Sequence, residues 1–172
     1  QSGGTSLPRM DVGWAQEQAL DVDAVSAACP DCKILVVQAS SASIANLGTA
    51  VNTAVRLGAT VVSNSYGGGD YADSSYGKYY NHPGVAITAS TGDNGYQGGS
   101  YPASSSYVTA VGGTSLTMSG TTRVSETAWS GAGSGCSTVN TALAAASTFG
   151  TGFAKRAIAD VSKVIVESAK VE

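Results

Sequence analysis

The chain has 172 residues, 42% of them hydrophobic, enough for one domain with a real core and too many for a disordered chain. Charged residues make up only 12%, about half the usual share, while glycine (22 residues) and serine are abundant, so hydroxyls and amides keep the surface soluble and little is lost when its carboxylates protonate. The net charge of −3, the sequence pI near 5.0 and the lack of any basic run exclude nucleic acid and anionic membrane as partners, and no apolar stretch is long enough to span a bilayer.

Residues 1–13 are polar and contain glycine, and they read as loop. Residues 14–28 predict a helix with Ala19, Leu20, Val22, Ala24 and Val25 as its apolar face and Pro30 as its stop. The run Ile34-Leu-Val-Val37 is short, apolar and β-branched, the pattern of a buried parallel strand. A helix over 42–57 follows from the spacing of Ile44, Leu47, Val51, Ala54 and Val55, with Gly58 ending it. A strand over 60–63 runs into Asn64-Ser-Tyr-Gly-Gly-Gly-Asp70, whose glycines let the backbone turn sharply or approach a ligand.

The tyrosine-rich stretch 71–80 predicts a short helix, and residues 81–84 turn the chain into a strand over 85–89 that ends in Ser90-Thr-Gly-Asp-Asn-Gly95. Further on come a strand over 107–111, a hairpin over 116–129 turning at Ser119-Gly120, a glycine-rich loop over 130–135, a helix over 140–147 and a last strand over 156–161. Strand and helix alternate, which predicts an α/β fold with parallel strands and functional groups on loops beyond the strand C-termini. Ser65 and Asp93 both fall there. With no internal repeat and no linker, residues 1–172 form a single domain.

Glu17 and Asp21 stand four apart in the first helix, so they share one face about 5–6 Å apart at Cβ and could hold one proton between them. Taken alone, such a pair belongs most simply to the wet side of an amphipathic helix. Cys29 and Cys32 form a CPDC stretch open to three readings: a redox motif, half a zinc site or a local disulfide. Zinc lacks ligands, since only Cys136 and His82 are left to join it. A redox motif would follow a strand and open a helix, the reverse of the order here. A short disulfide and an oxidising, extracytoplasmic setting are therefore expected, with Cys136 left over. No signal peptide opens the chain, so it reads as a mature or trimmed product. His82 has no catalytic partner in view and is expected to be structural.

Together, WAQEQALDVDAVSAACPDCKI, SNSYGG, HPGVAITASTGDNG, YPASSSYVTAVGGTSL and KRAIADVS resemble the sedolisins, the serine-carboxyl peptidases with a subtilisin-like fold. Each motif is weak alone, but their order and spacing are specific, and the match runs to about Ser162. The resemblance implies a subtilisin-like parallel sheet flanked by helices, in an apparently incomplete version of the catalytic domain. It also implies a secreted endopeptidase that works at acid pH, is made with a prosegment and holds one calcium ion. Glu17 matches the general base, Asp21 the acid bonded to it, and Asp93 the oxyanion-hole acid. Ser65, Tyr66 and Gly67 match the substrate-binding strand, with Tyr replacing Trp. Asp160 and Val161 match part of the calcium site. A carboxylate base suits low pH, where a histidine would be protonated, and Asp93 can donate to an oxyanion only when it carries its proton.

The departure lies in the nucleophile. The family places it in a Gly-Thr-Ser-x-x-x-Pro segment after the Asp160-Val161 match, and this chain has no such segment there. Gly4-Thr-Ser6 has the wrong spacing and precedes the acidic helix, while Gly113-Thr-Ser115 lacks the proline, so neither is assigned. Residues 163–172 read as a divergent tail. Two functions are expected from this: an acid-acting peptidase on polypeptide substrates, its nucleophile outside the assigned residues, or a non-catalytic relative that binds peptides. Either could have the remainder of the domain or a prosegment as a partner.

Overall fold

A computed structural model describes residues 9–165. Helix α1 (Val12–Ala28) is capped by Asp11, whose Oδ1 accepts from the Trp14 N–H at 3.1 Å. Its last turn closes at Cys29, whose N–H donates to the Val25 carbonyl, and a Cys29–Cys32 disulfide ties off the end. Helix α2 (Ile44–Arg56) is capped by Ser43 and buries Ala50, Val51 and Ala54. Gly48 brings it against the Tyr79 ring, where a Cβ would stand 2.4 Å away.

A sheet is built from β1 (Val61–Asn64), β2 (Ala86–Ser90), β3 (Thr109–Ser119), β4 (Thr122–Ala128) and β7 (Val161–Ile165). Strands β1, β2 and β3 run parallel, with Val61 opposite Ala86 and Thr88 opposite Thr109. Strand β7 joins β3 in parallel, and β4 returns antiparallel to the far end of β3. Between β1 and β2 lie the short helix α3 (Asp73–Tyr76) and a 3-10 turn (Gly77–Tyr79). A separate antiparallel pair, β5 (Gly135–Thr141) with β6 (Lys155–Ile158), flanks the helix α4 (Ala144–Phe149).

The core gathers Val51, Tyr80, Ile87, Ala89, Tyr101, Ala103, Val108, Ala110 and Ile158. Burying Val51 and Ile87 contributes about 1.5–3 kcal/mol each. Tyr80 meets Tyr101 edge-on at 5.5 Å between ring centres, a geometry worth about 0.5–1.5 kcal/mol beyond the area it buries.

Several sequence expectations are corrected here. Residues 33–37 form no ladder: among the described residues no neighbouring strand supplies hydrogen bonds, and Ile34, Leu35 and Val36 are exposed. The apolar residues expected to pack from α1 largely do not, since Ala19, Leu20, Ala24 and Val25 are exposed and no residue of α1 is fully buried. The helix expected over 140–147 starts only at Ala144, because Asn140 and Thr141 are drawn into β5. The last strand is two strands, broken where Ala159 takes a positive φ of 74°. Residues 163–165 continue β7, and the rest of the divergent tail expected over 163–172 lies outside the described residues.

Candidate functional site

Within α1 the half-buried residues are Glu17, Asp21 and Val22, and every other residue of the helix is exposed. The acids therefore form the inward face, the reverse of an ordinary amphipathic helix. They meet the C-terminal ends of the parallel strands. Ser65 follows the last residue of β1, and its hydroxyl donates to Asp21 Oδ1 at 2.6 Å. Asp93 lies three residues beyond the end of β2 and within electrostatic reach of Glu17.

Partial burial, then the neighbouring Asp21 and more weakly Asp93, push the Glu17 carboxyl above its ordinary value, while Ser65 and Lys163 pull the other way. The Ser65 hydroxyl has one proton; its oxygen lies 2.6 Å from Asp21 Oδ1, and the proton is shared between the two acids. Lys163, on β7 opposite Gly113 of β3, is a cation within electrostatic reach of Glu17. Sequence reasoning missed it; the only signal was a basic residue directly after Asp160-Val-Ser162.

Tyr66 is held by its hydroxyl, which donates to Asn64 Oδ1 at 2.8 Å, and burial pushes that hydroxyl well above the usual phenol range. Gly68 pairs with Tyr101, donating its N–H to the Tyr101 carbonyl at 3.0 Å. Tyr66, Gly67 and Gly68 thus form a wall, and on its other side lies a groove of about 320 Å³ closed by Trp14, Ile44, Leu47, Tyr71 and Tyr76.

The Asp93 loop is set by backbone packed on backbone. Gly92 has φ +100° and its carbonyl accepts from the Gly133 N–H at 2.7 Å, while Gly95 donates to the Gly131 carbonyl at 2.9 Å. A Cβ on Gly133 would stand 2.0 Å from the Thr91 carbonyl oxygen. Asp93 itself is exposed.

The calcium expectation does not fit the residues present. Both carboxylate oxygens of Asp160 are taken by Arg156, at 2.6 Å from Nη1 to Oδ1 and 2.5 Å from Nη2 to Oδ2, and Oδ2 also accepts from the Ala110 N–H. Among the described residues no group of three metal-ligating side chains gathers. The Asp160-Val161 pair is instead a joint that locks β6 and β7 to β3. Gly113-Thr-Ser115 lies within β3, in register with Lys163 to Ile165 of β7, and opens no helix; Gly4-Thr-Ser6 is outside the described residues. Cys136 has a free thiol.

A parallel sheet flanked by helices, with a site beyond its strand C-termini, is a subtilisin-like arrangement. Among solved structures, the chain is similar to the Pseudomonas sedolisin (serine-carboxyl proteinase) complexed with two molecules of pseudo-iodotyrostatin. That match has 24% identity and a TM-score of 0.58, over 73% of this chain and 44% of that one. The chain also matches the prenylagaramide maturation protease PagA at 24% identity and a TM-score of 0.42, over 59% of this chain and 36% of that one. No family model and no curated protein matches. The chain thus spans less than half the length of the sedolisin whose fold it shares.

Proposed function

We propose that this chain carries the carboxylate part of an acid-acting serine-carboxyl endopeptidase centre. One observation carries the reading: α1 turns Glu17 and Asp21 inward to the Ser65 hydroxyl, with Asp93 within electrostatic reach of Glu17. Turning acids inward costs burial and mutual repulsion, a cost a purely structural helix has no reason to bear. Glu17 is the base that takes the proton of an attacking serine; its raised pKa makes it a stronger base than an ordinary carboxylate once it is ionised. Asp21 holds Glu17 in place, and Asp93, carrying its proton, donates to the oxyanion as the carbonyl is attacked. The groove beside Tyr66 to Gly68 takes the polypeptide.

The test is hydrolysis of denatured protein at about pH 4, before and after Glu17→Gln, with intact mass measured on the same sample. Cleavage lost with Glu17 supports the peptidase reading, and cleavage that survives the substitution overturns Glu17 as base. A second reading is favoured by the place of Gly113-Thr-Ser115 inside a strand: the chain binds peptides without cutting them. Absence of hydrolysis from a species of 17.1 kDa, together with saturable peptide binding, selects that reading.

A further inference from the structure

The wall of the groove contains Gly67 and Gly68, and Gly69 follows them in the chain, so the segment is made of the residues with most backbone freedom to lose. Its position therefore depends on what holds its two ends. Tyr66 is fixed through Asn64 at one end. At the other, Asp70 collects donors from parts of the chain far away in sequence. Its Oδ1 accepts from Ser104 Oγ at 3.0 Å and Ser137 Oγ at 2.9 Å. Its Oδ2 accepts from the Thr138 N–H at 2.6 Å, Thr138 Oγ1 at 3.0 Å and Ser137 Oγ at 3.1 Å. Ser104 and Ser137 are buried.

No salt bridge to Asp70 is found among the described residues, so its charge is satisfied by hydroxyl and amide donors alone. Gly99 has no Cβ where one would stand 2.7 Å from Asp70 Oδ1, which leaves room for the carboxylate. Asn140 braces the next residues, donating to the Tyr71 carbonyl at 2.9 Å and accepting from the Asp73 N–H at 2.8 Å. Partial burial would raise the Asp70 carboxyl, but the donors from Thr138, Ser137 and Ser104 outweigh it and hold it below the ordinary range. The clasp thus keeps its charge well into acid.

We propose that Asp70 is a positioning residue that, through Gly69, clamps the Gly67-Gly68 wall of the groove to β5 and to the 99–104 segment, so that a polypeptide meets a preformed surface. The binding half of this inference rests on the groove being the polypeptide site; the clamping half does not.

The experiment compares the full chain with its Asp70→Asn variant, both in a Trp129→Phe background that leaves Trp14 as the fluorescent reporter on the groove. Amide hydrogen exchange is followed at Gly68 and Tyr101, whose N–H groups bridge the wall, and at Val51 and Ile87 in the core. The probe peptide is acetyl-Ala-Ala-Ala-Phe-Ala-Ala-Ala-amide, titrated by Trp14 emission. In Asp70→Asn, exchange at Gly68 and Tyr101 should speed up by about tenfold or more while Val51 and Ile87 stay within about twofold, and peptide affinity should fall by about tenfold.

Unchanged exchange at Gly68 and Tyr101, or equal acceleration in the core, overturns the proposal and leaves Asp70 as a general stabiliser. If Asp70→Asn does not fold, Ser104→Ala removes one donor and should speed Gly68 and Tyr101 selectively, by a smaller factor; no selective change there overturns the proposal equally. Selective acceleration in a chain that binds no peptide even with Asp70 intact supports the clamp and counts against the groove as the polypeptide site.

Discussion

Ser65 donates its hydroxyl proton to Asp21 Oδ1 across 2.6 Å and so joins the end of β1 to the inward face of α1. The sequence reading gave Ser65 a place on the substrate strand; the structure shows that its side chain also touches the acid pair. Removing the hydroxyl leaves Asp21 one donor short and takes away an influence that lowers the Glu17 pKa. On the proposed role of Glu17 as base, the acid limb of the pH–activity profile, set by loss of the Glu17 proton, should therefore move to higher pH in Ser65→Ala with activity retained. The pH dependence of hydrolysis measures this. Complete loss of activity, with a fluorophosphonate label mapping to Ser65 in the parent chain, would make Ser65 the nucleophile instead.

The raised Glu17 pKa has a thermodynamic counterpart. Its ordinary value is 4.5, and the folded state binds this proton more tightly than the unfolded chain does. Stability from this group is therefore fully present below the ordinary value and is lost as pH rises through the raised one. Glu17→Gln should leave Tm unchanged at about pH 3 and raise it near pH 7 by about 1–3 °C, a small effect because solvent still screens the half-buried group. Thermal melts across that range check the sign. Asp70 has the opposite dependence: its pKa is lowered from 3.8, so its contribution is lost only as pH falls through that lowered value.

Arg156 is almost wholly buried and donates to the Val108 and Ala157 carbonyls as well as to Asp160. Asp160→Ala would strand a buried guanidinium, at a cost of about 3–5 kcal/mol, so the variant should be largely unfolded by urea titration at concentrations the parent resists. Because Arg156 occupies both oxygens of Asp160, a chelator such as EDTA should leave the Tm of the chain within about 1 °C. A fall of several degrees would show that a cation is held by ligands other than those described.

The order of the elements was legible because parallel strands and their crossover helices leave strong local patterns: the spacing of Val51 and Ala54 in α2, the β-branched run of β1, the Ser119-Gly120 turn. The strand expected at Ile34 to Val37 was not formed, since a strand needs a neighbour and local sequence cannot supply one. Strand β5 was missed because Gly135 to Thr141 is largely polar, with Ser137 and Asn140 turned to Asp70 and Tyr71. At the site, Glu17, Asp21 and Asp93 could be named as candidates, but the partial burial of Glu17 and Asp21 could not be foreseen. Composition put the helix acids in water, and only the tertiary arrangement turns them inward. Lys163 and the Asp70 clasp depend on contacts across 34 residues or more, beyond the reach of any motif.

Asp93 has its place because Gly133 lets two backbones touch. The Gly133 N–H donates to the Gly92 carbonyl at 2.7 Å, and there is no room for a side chain, since a Cβ would lie 2.0 Å from the Thr91 carbonyl oxygen. That neighbour is backbone and cannot swing aside, so Gly133→Ala must push the 91–95 loop outward. The expected stability loss is about 1–3 kcal/mol, from overpacking and the weakened hydrogen bond. Displacing Asp93 also removes its repulsion of Glu17, so the Glu17 carboxyl should titrate at lower pH in Gly133→Ala than in the parent, in the direction opposite to the Ser65→Ala shift. NMR titration of the Glu17 side chain in the two variants separates them. Shifts of the same sign in both would mean that Asp93 does not act on Glu17 through space.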